Sequence, residues 1–239
     1  MEKEISALSK LLGDVDSPYL AIVGGAKVSG KIDVLDALLH RVSDLIVGGA
    51  MANTFLLAIG KTVGTSLTEP DRVAVAKNFL RKAQERKVAI HLPTDAVIAE
   101  NINSPKGKNI SVDSVESDQA IFDIGQDSRN RFAELIASAR TIFWNGPMGV
   151  FEKEAFAAGT IHVANAVAQN DRAFSVVGGG DSVAAANAAR VADKISHIST
   201  GGGASLEFVQ GRKLPGIIAL ANHQNLPVSL SQNLNRDPS

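Results

Sequence analysis

Tyr19-Leu-Ala-Ile-Val-Gly-Gly-Ala-Lys-Val-Ser-Gly-Lys31 passes from five apolar residues through two glycines into a helix-compatible stretch. The same plan recurs three times, at Leu45–Val47 before Gly48-Gly49, at Phe174–Val177 before Gly178-Gly179-Gly180, and at His197–Ser199 before Gly201-Gly202-Gly203. A strand, a tight turn and a helix start repeated in this way describe a parallel sheet whose turns line one edge, where ligands bind. Helix starts present free N–H groups and partial positive charge, and glycine lets a phosphate approach the backbone. The chain reads as built to hold a phosphorylated ligand, with a nucleotide the expected one.

Between Pro18 and Leu220 apolar strands alternate with helical stretches. Strands are expected at 19–23, 45–47, 88–92, 121–124, 141–144, 174–177 and 197–199. Helices are expected at about 28–41, 50–59, 70–86, 128–139, 153–169 and 181–191. Alternation of this kind predicts right-handed crossovers, and strands without polar alternation predict burial on both faces. The expected fold is a three-layer Rossmann-like α/β domain, with a central parallel sheet of about six strands and helices on both sides. Residues 95–118 are polar and read as an excursion with one short strand. Residues 1–12 carry Ile5, Leu8, Leu11 and Leu12 at helical spacing, and fit a helix docked on this domain or a connector whose apolar face belongs partly elsewhere. The Asn-, Gln- and Ser-rich tail 221–239 is expected to be disordered. The domain reading is thus 1–16 as a helix of interdomain type, 17–220 as the ligand-binding domain and 221–239 as the tail.

Composition narrows the class. At 239 residues, with 45% hydrophobic and 21% charged residues, the chain can bury a sizeable core. The net charge of −1 gives no bulk support for binding nucleic acid or an acidic membrane. The chain has no cysteine, which excludes disulfides and thiolate chemistry. No apolar run has the length of a membrane span and the N-terminus does not read as a signal peptide, so a cytoplasmic protein is expected. The five histidines show no metal-ligand spacing and read as structural.

Lys27 and Lys31 stand four residues apart beside the first glycine turn, as two cations facing a polyphosphate would. The segment nearly matches a P-loop, but Ile32 stands where Ser or Thr should hold Mg²⁺, so the match is accidental. After Gly178–Gly180, Asp181 and Ser182 fit an N-cap worth about 1 kcal/mol. Three consecutive glycines exceed what a cap needs, and Asp181 fits a Mg²⁺ ligand that shares the ion with phosphate oxygens. Gly201, Gly202 and Gly203 form an uncharged helix start suited to a phosphoryl group in transit. Trp144 reads as core. Glu152 fits a helix cap and a ribose ligand equally well.

Together Ala21-Ile-Val-Gly-Gly-Ala-Lys-Val-Ser29, Trp144-Asn-Gly-Pro-Met-Gly-Val-Phe-Glu152, Gly178-Gly-Gly-Asp-Ser182 and Ser199-Thr-Gly-Gly-Gly-Ala-Ser-Leu-Glu207 resemble the phosphoglycerate kinase family in order and spacing, and Lys213-Leu-Pro-Gly216 resembles its closing segment. The resemblance covers roughly residues 5–220 and implies the C-terminal, nucleotide-binding half of a two-domain enzyme. It implies reversible phosphoryl transfer between 1,3-bisphosphoglycerate and ADP with Mg²⁺, in glycolysis. By resemblance Lys27 stabilises the phosphoryl group in flight, Lys31 and Asn145 meet the nucleotide phosphates, Asp181 holds Mg²⁺, and Gly180 and Ser182 contact phosphate. Glu152 then takes the ribose, and Gly24, Gly25, Ala26, Gly48, Gly49, Phe122, Pro147 and Val150 wall the adenine slot. Gly201 to Gly203 face the moving phosphoryl. Ser182 stands where the family has Thr. Ala50 replaces a third glycine and Phe122 a common Leu, and both narrow the slot. Phosphoglycerate is expected to bind only with the N-terminal domain, which leaves the isolated chain nearly inactive. A monomer is expected, with self-association through an exposed interdomain face that includes some of Ile5, Leu8 and Leu12. The alternative is a stand-alone nucleotide-binding or regulatory module of the same descent.

Overall fold

The computed structural model describes residues 2–13, 15–199, 201 and 203–211. In chain order the elements are α1 (Glu2–Leu12), β1 (Tyr19–Val23), α2 (Ile32–Leu38), β2 (Asp44–Val47), α3 (Gly49–Ala58), α4 (Val73–Glu85), β3 (Ala89–His91), β4 (Asp95–Ala99), β5 (Lys108–Ser111), β6 (Ala120–Ile124), α5 (Gln126–Ser138), β7 (Thr141–Asn145), α6 (Ala158–Gln169), β8 (Phe174–Gly178), α7 (Gly180–Ala188), β9 (His197–Ile198) and α8 (Ala204–Val209). Six strands form one sheet in the order β3-β2-β1-β7-β8-β9, and every pair in it is parallel. The chain builds outward from β1 through β2 to β3, then returns to lay β7 against the other side of β1. That reversal puts a crevice beyond the C-terminal ends of β1 and β7.

Strand geometry explains the two cores. Successive side chains point to opposite faces. Tyr19, Ala21 and Val23 join Phe143 and Val176 under α1, α2, α3, α4 and α8. Leu20, Ile22, Ile142, Trp144 and Val177 pack under α5, α6 and α7. All five residues of β1 are buried, so the strand reads as a continuous apolar run.

The expected alternation fails at one strand. Residues 120–124 leave the parallel sheet and pair antiparallel with β4, which pairs in turn with β5. Only a three-ten turn at Val112–Ser114 interrupts these three strands, and without a crossover helix neighbouring strands run antiparallel. The excursion therefore holds two strands. β4 is an apolar run behind an acidic residue, and that residue serves the next helix. Asp95 accepts from the Ser128 hydroxyl (2.6 Å) and from the N–H groups of Ser128 (2.8 Å) and Asp127 (3.0 Å) at the start of α5.

Several helices are shorter than their patterns. The stretch expected from 28 starts at Ile32, because Val28 to Lys31 form a turn closed by Lys31 N–H on Val28 O (2.9 Å). The stretch from 153 starts at Ala158 after a three-ten turn at Glu154–Phe156.

α1 is not an open connector. Leu8 and Leu11 are each 1% exposed and sit in the same core as Phe208 and Val209 of α8, and Leu12 packs against that core. Burial of two leucines at about 1.5–3 kcal/mol each holds the helix down. Of the three apolar residues named for an open face, Leu8 is buried, while Ile5 and Leu12 are half-buried. The Glu4 carboxylate meets His197 Nε2 (2.8 Å) and accepts from the Ser199 hydroxyl. Gly202, residues 212–220, the Lys213–Gly216 segment and the 221–239 tail lie outside the described residues. No helix among the described residues is long and apolar enough to cross a membrane.

Candidate functional site

Lys31 plugs the crevice between β1 and β7. It is the residue just before α2, and its side chain turns inward. The ammonium donates to Gly24 O (2.7 Å), Asn145 Oδ1 (2.7 Å) and Asn145 O (3.1 Å), and so ties the two strand ends together. Gly24 N–H donates to Asn145 O (3.0 Å) beside it. Burial pulls the Lys31 amine down to about 8, against the opposing influence of Asp181. Lys27 is exposed instead, so the two lysines do not share a helix face.

The Lys31 shift has a sign that can be checked. Below pH 8 the amine is charged in folded and unfolded chains alike, and its full burial cost is present. Between about pH 8 and the unfolded value of 10.5 the unfolded chain holds a proton that the folded chain has lost. Stability therefore rises with pH in that window. Relative to Lys31→Met, the native chain should gain up to about 3 kcal/mol across it. Paired urea denaturations at pH 7.5 and 10 measure this, and a constant difference would show that Lys31 does not titrate there.

The glycines divide into two kinds. Gly24, Gly48 and Gly49 are needed for loop-on-loop packing. A Cβ on Gly24 would stand 2.0 Å from Pro147 O, and Gly49 has φ +67° with its would-be Cβ 2.5 Å from Gly25 O. Gly49 N–H donates to Met148 O (3.0 Å) and Met51 N–H to Gly25 O (2.9 Å), which knits the three turns together. Gly180 and Gly203 differ, since a Cβ on either meets nothing within 4 Å. The described residues give no steric reason for glycine there.

α7 starts beside this opening with no side-chain cap, and carries the exposed Asp181 in its first turn. Ser182 does not cap it. Its buried hydroxyl accepts from Gly146 N–H (2.5 Å), which ties the turn after β7 to α7 and leaves its O–H as a donor. Asn145 Nδ2 is buried without a partner among the described residues and lies against Gly179. An unpaired buried donor and an uncapped helix start lie side by side at this edge, a pairing suited to an anion.

A cleft of about 220 Å³ runs from this edge toward the small sheet. Of the residues named from the sequence, Gly25, Ala26, Gly49, Phe122, Pro147, Val150, Glu152 and Asp181 line it. Phe122 stacks on Phe156 with ring centroids 4.8 Å apart, which fixes the wall. Glu152 is exposed at the mouth. Lys27, Lys31, Gly24, Gly48, Asn145, Gly180, Ser182, Gly201 and Gly203 are not part of the cleft lining. Gly201 and Gly203 are exposed at the start of α8.

Sequence reasoning missed Leu56, Leu67 and Ile121 in the lining. It also missed Asp123, whose carboxyl burial pushes up to about 7 against hydrogen bonds from the Gly159 and Ile124 amides and the charge of Arg129. The apolar period of α3 and β6 marks these residues as core and carries no hint that one end of that core is open. Trp144 is fully buried and donates to Gly146 O (2.8 Å), as a core residue should. His91 and His197 meet Asp44 and Glu4, and among the described residues no cluster of three His, Cys, Asp or Glu could hold a metal.

A family model described as phosphoglycerate kinase matches residues 1–212. The chain is 51% identical over 225 residues to the phosphoglycerate kinase of Desulfosudis oleivorans, covering 94% of this chain and 57% of that one. It is 50% identical over 221 residues to that of Herpetosiphon aurantiacus, covering 92% and 56%. Among solved structures, phosphoglycerate kinase from Coxiella burnetii superposes with a TM-score of 0.88 at 45% identity over 93% of this chain and 57% of that one. The Pyrococcus horikoshii enzyme gives 0.81 at 36% identity, over 92% and 56%. The chain thus spans little more than half the length of these relatives.

Proposed function

Because the chain belongs to the phosphoglycerate kinase family, we propose that it binds ADP and ATP with Mg²⁺ and supplies the nucleotide half of a reversible phosphoryl transfer from 1,3-bisphosphoglycerate, in cytoplasmic glycolysis. The phosphoglycerate site belongs, on this proposal, to the part of the relatives that the chain does not span. One observation carries the reading. An apolar slot and an uncapped helix start bearing a free carboxylate meet at the sheet's reversal point, with open space beside Gly180.

Each residue then has a physical task. Phe122, Pro147 and Val150 clamp the flat base, and Glu152 accepts from the ribose hydroxyls. The α7 amides and Asn145 Nδ2 donate to phosphate oxygens. Asp181 offers a carboxylate for Mg²⁺, whose bound charge neutralises the phosphates. Lys27 balances charge on the moving phosphoryl, a transfer that depends on positioning and electrostatics. Gly201 and Gly203 leave the facing helix start bare. Lys31 acts from beneath, by holding the two strand ends in register.

Calorimetric titration of the native chain with ADP and Mg²⁺ tests the reading, with Gly180→Ala beside it. Alanine meets no chain atom there and is a better helix former by about 0.8–1.0 kcal/mol, so the melting temperature should hold or rise. ADP affinity should fall by roughly tenfold or more, as when one well-placed backbone contact to a phosphate is lost. Failure of the native chain to bind ADP, or full affinity in Gly180→Ala, would overturn the reading.

A further inference from the structure

The loop that carries Lys27 is gripped from outside by a residue far from it in sequence. Glu69 accepts from Ser29 N–H (3.0 Å) and from the Ser29 hydroxyl (2.5 Å), with a further bond from the Val28 amide. The grip is itself anchored. Glu69 N–H donates to Thr54 Oγ1 (3.0 Å), and Asn53 Nδ2 donates to Leu67 O (3.1 Å), which fastens segment 67–69 onto α3. The same helix reaches the other end of the loop directly, through Met51 N–H on Gly25 O (2.9 Å). Ala26 and Lys27 stand between these two holds, in a loop that glycines at 25 and 30 would otherwise leave free.

We propose that Glu69 is a positioning residue, which acts through Ser29 and Val28 to hold Lys27 toward the phosphates of a bound nucleoside diphosphate. The proposal rests on the nucleotide reading of the site. A carboxylate near a polyphosphate is unfavourable unless its charge is met. Here burial alone would raise the carboxyl, but the Ser29 and Val28 bonds and nearby Arg72 hold it below its ordinary value. Glu69 therefore stays ionised and keeps its grip across the neutral range, with its lone pairs spent on the loop.

The test is a double-mutant cycle of Glu69→Ala and Lys27→Ala, read by calorimetric titration with ADP plus Mg²⁺ and, separately, with adenosine. Glu69→Ala should weaken ADP about tenfold, the usual size of a positioning effect, and leave adenosine unchanged. Glu69→Gln, which keeps one acceptor, should recover part of the loss. In the Lys27→Ala background the Glu69→Ala effect should shrink toward nothing, because both changes remove one interaction. Amide exchange at Val28 and Ser29 should quicken in Glu69→Ala while the melting temperature holds. An equal loss for ADP and adenosine, or additive effects of the two substitutions, would overturn the proposal and leave Glu69 a purely structural residue. If the native chain bound no ADP, the nucleotide reading would fall first and the proposal with it. ADP binding that Glu69→Ala does not change would remove the proposal alone.

Discussion

An Asp181→Ala chain titrated with ADP and Mg²⁺ should bind roughly 10- to 100-fold more weakly than the native chain, as expected when a metal's protein contact is removed. Without Mg²⁺ the order should reverse. A bare carboxylate in the first turn of α7 repels an unmetallated diphosphate, so its removal leaves metal-free ADP bound as well or better. The side chain is exposed, and its contribution to the helix start is only about 0.3–1 kcal/mol, so melting should barely change. A second readout is independent of affinity. Asp181 holds the Lys31 amine up against burial, so its loss should shift the alkaline stability change of Lys31 to lower pH. Equal metal dependence in both chains would remove Asp181 from the metal's surroundings.

The largest loss of stability is expected from Gly24→Ala. The added methyl would stand 2.0 Å from Pro147 O and 2.8 Å from Gly146 O, both backbone atoms of the turn after β7. No rotamer relieves such a clash, and the turn must move away from β1. Overpacking of this kind costs about 1–3 kcal/mol and sometimes more. In a domain of this size that is a fall of roughly 2–12 °C in Tm. Displacing the turn also breaks the Lys31 bonds that span it, so ADP binding should go with the stability. Thermal denaturation of Gly24→Ala and Gly180→Ala side by side makes the contrast, since one methyl enters occupied space and the other open space. Equal melting temperatures would contradict the loop-on-loop packing described for Gly24.

The parallel sheet was legible because β1, β7 and β8 are largely buried on both faces and so print as mostly apolar runs before their glycines. The small sheet was not, because β4 begins with Asp95, whose polarity is spent on α5 through contacts that no local pattern reveals. Of the residues that line the cleft, Pro147, Val150 and Asp181 lie in the glycine motifs read from the sequence, and Phe122 was named only through the family resemblance. Glu69 was not legible, since it lies 40 residues from Ser29 and its role depends on how segment 67–69 rests on α3. The glycines misled in part. Gly24 and Gly49 answer to neighbouring turns, and only the three-dimensional packing separates them from Gly180. Ser182 was read from its motif for its hydroxyl, and the fold adds a bond no motif reveals, from Gly146 N–H.

The contact between α1 and α8 bears on how the chain acquires its shape during synthesis. Glu4 and His197 are 193 residues apart in sequence. At about 5–20 residues per second, α1 leaves the ribosome some 10–40 s before its counterpart exists. Throughout that interval Leu8 and Leu11 have no native cover from Phe208 and Val209, and they are available to chaperones or to other nascent chains. Among the described residues, the clasp between α1 and the end of the sheet is thus one that translation delays by nearly two hundred residues.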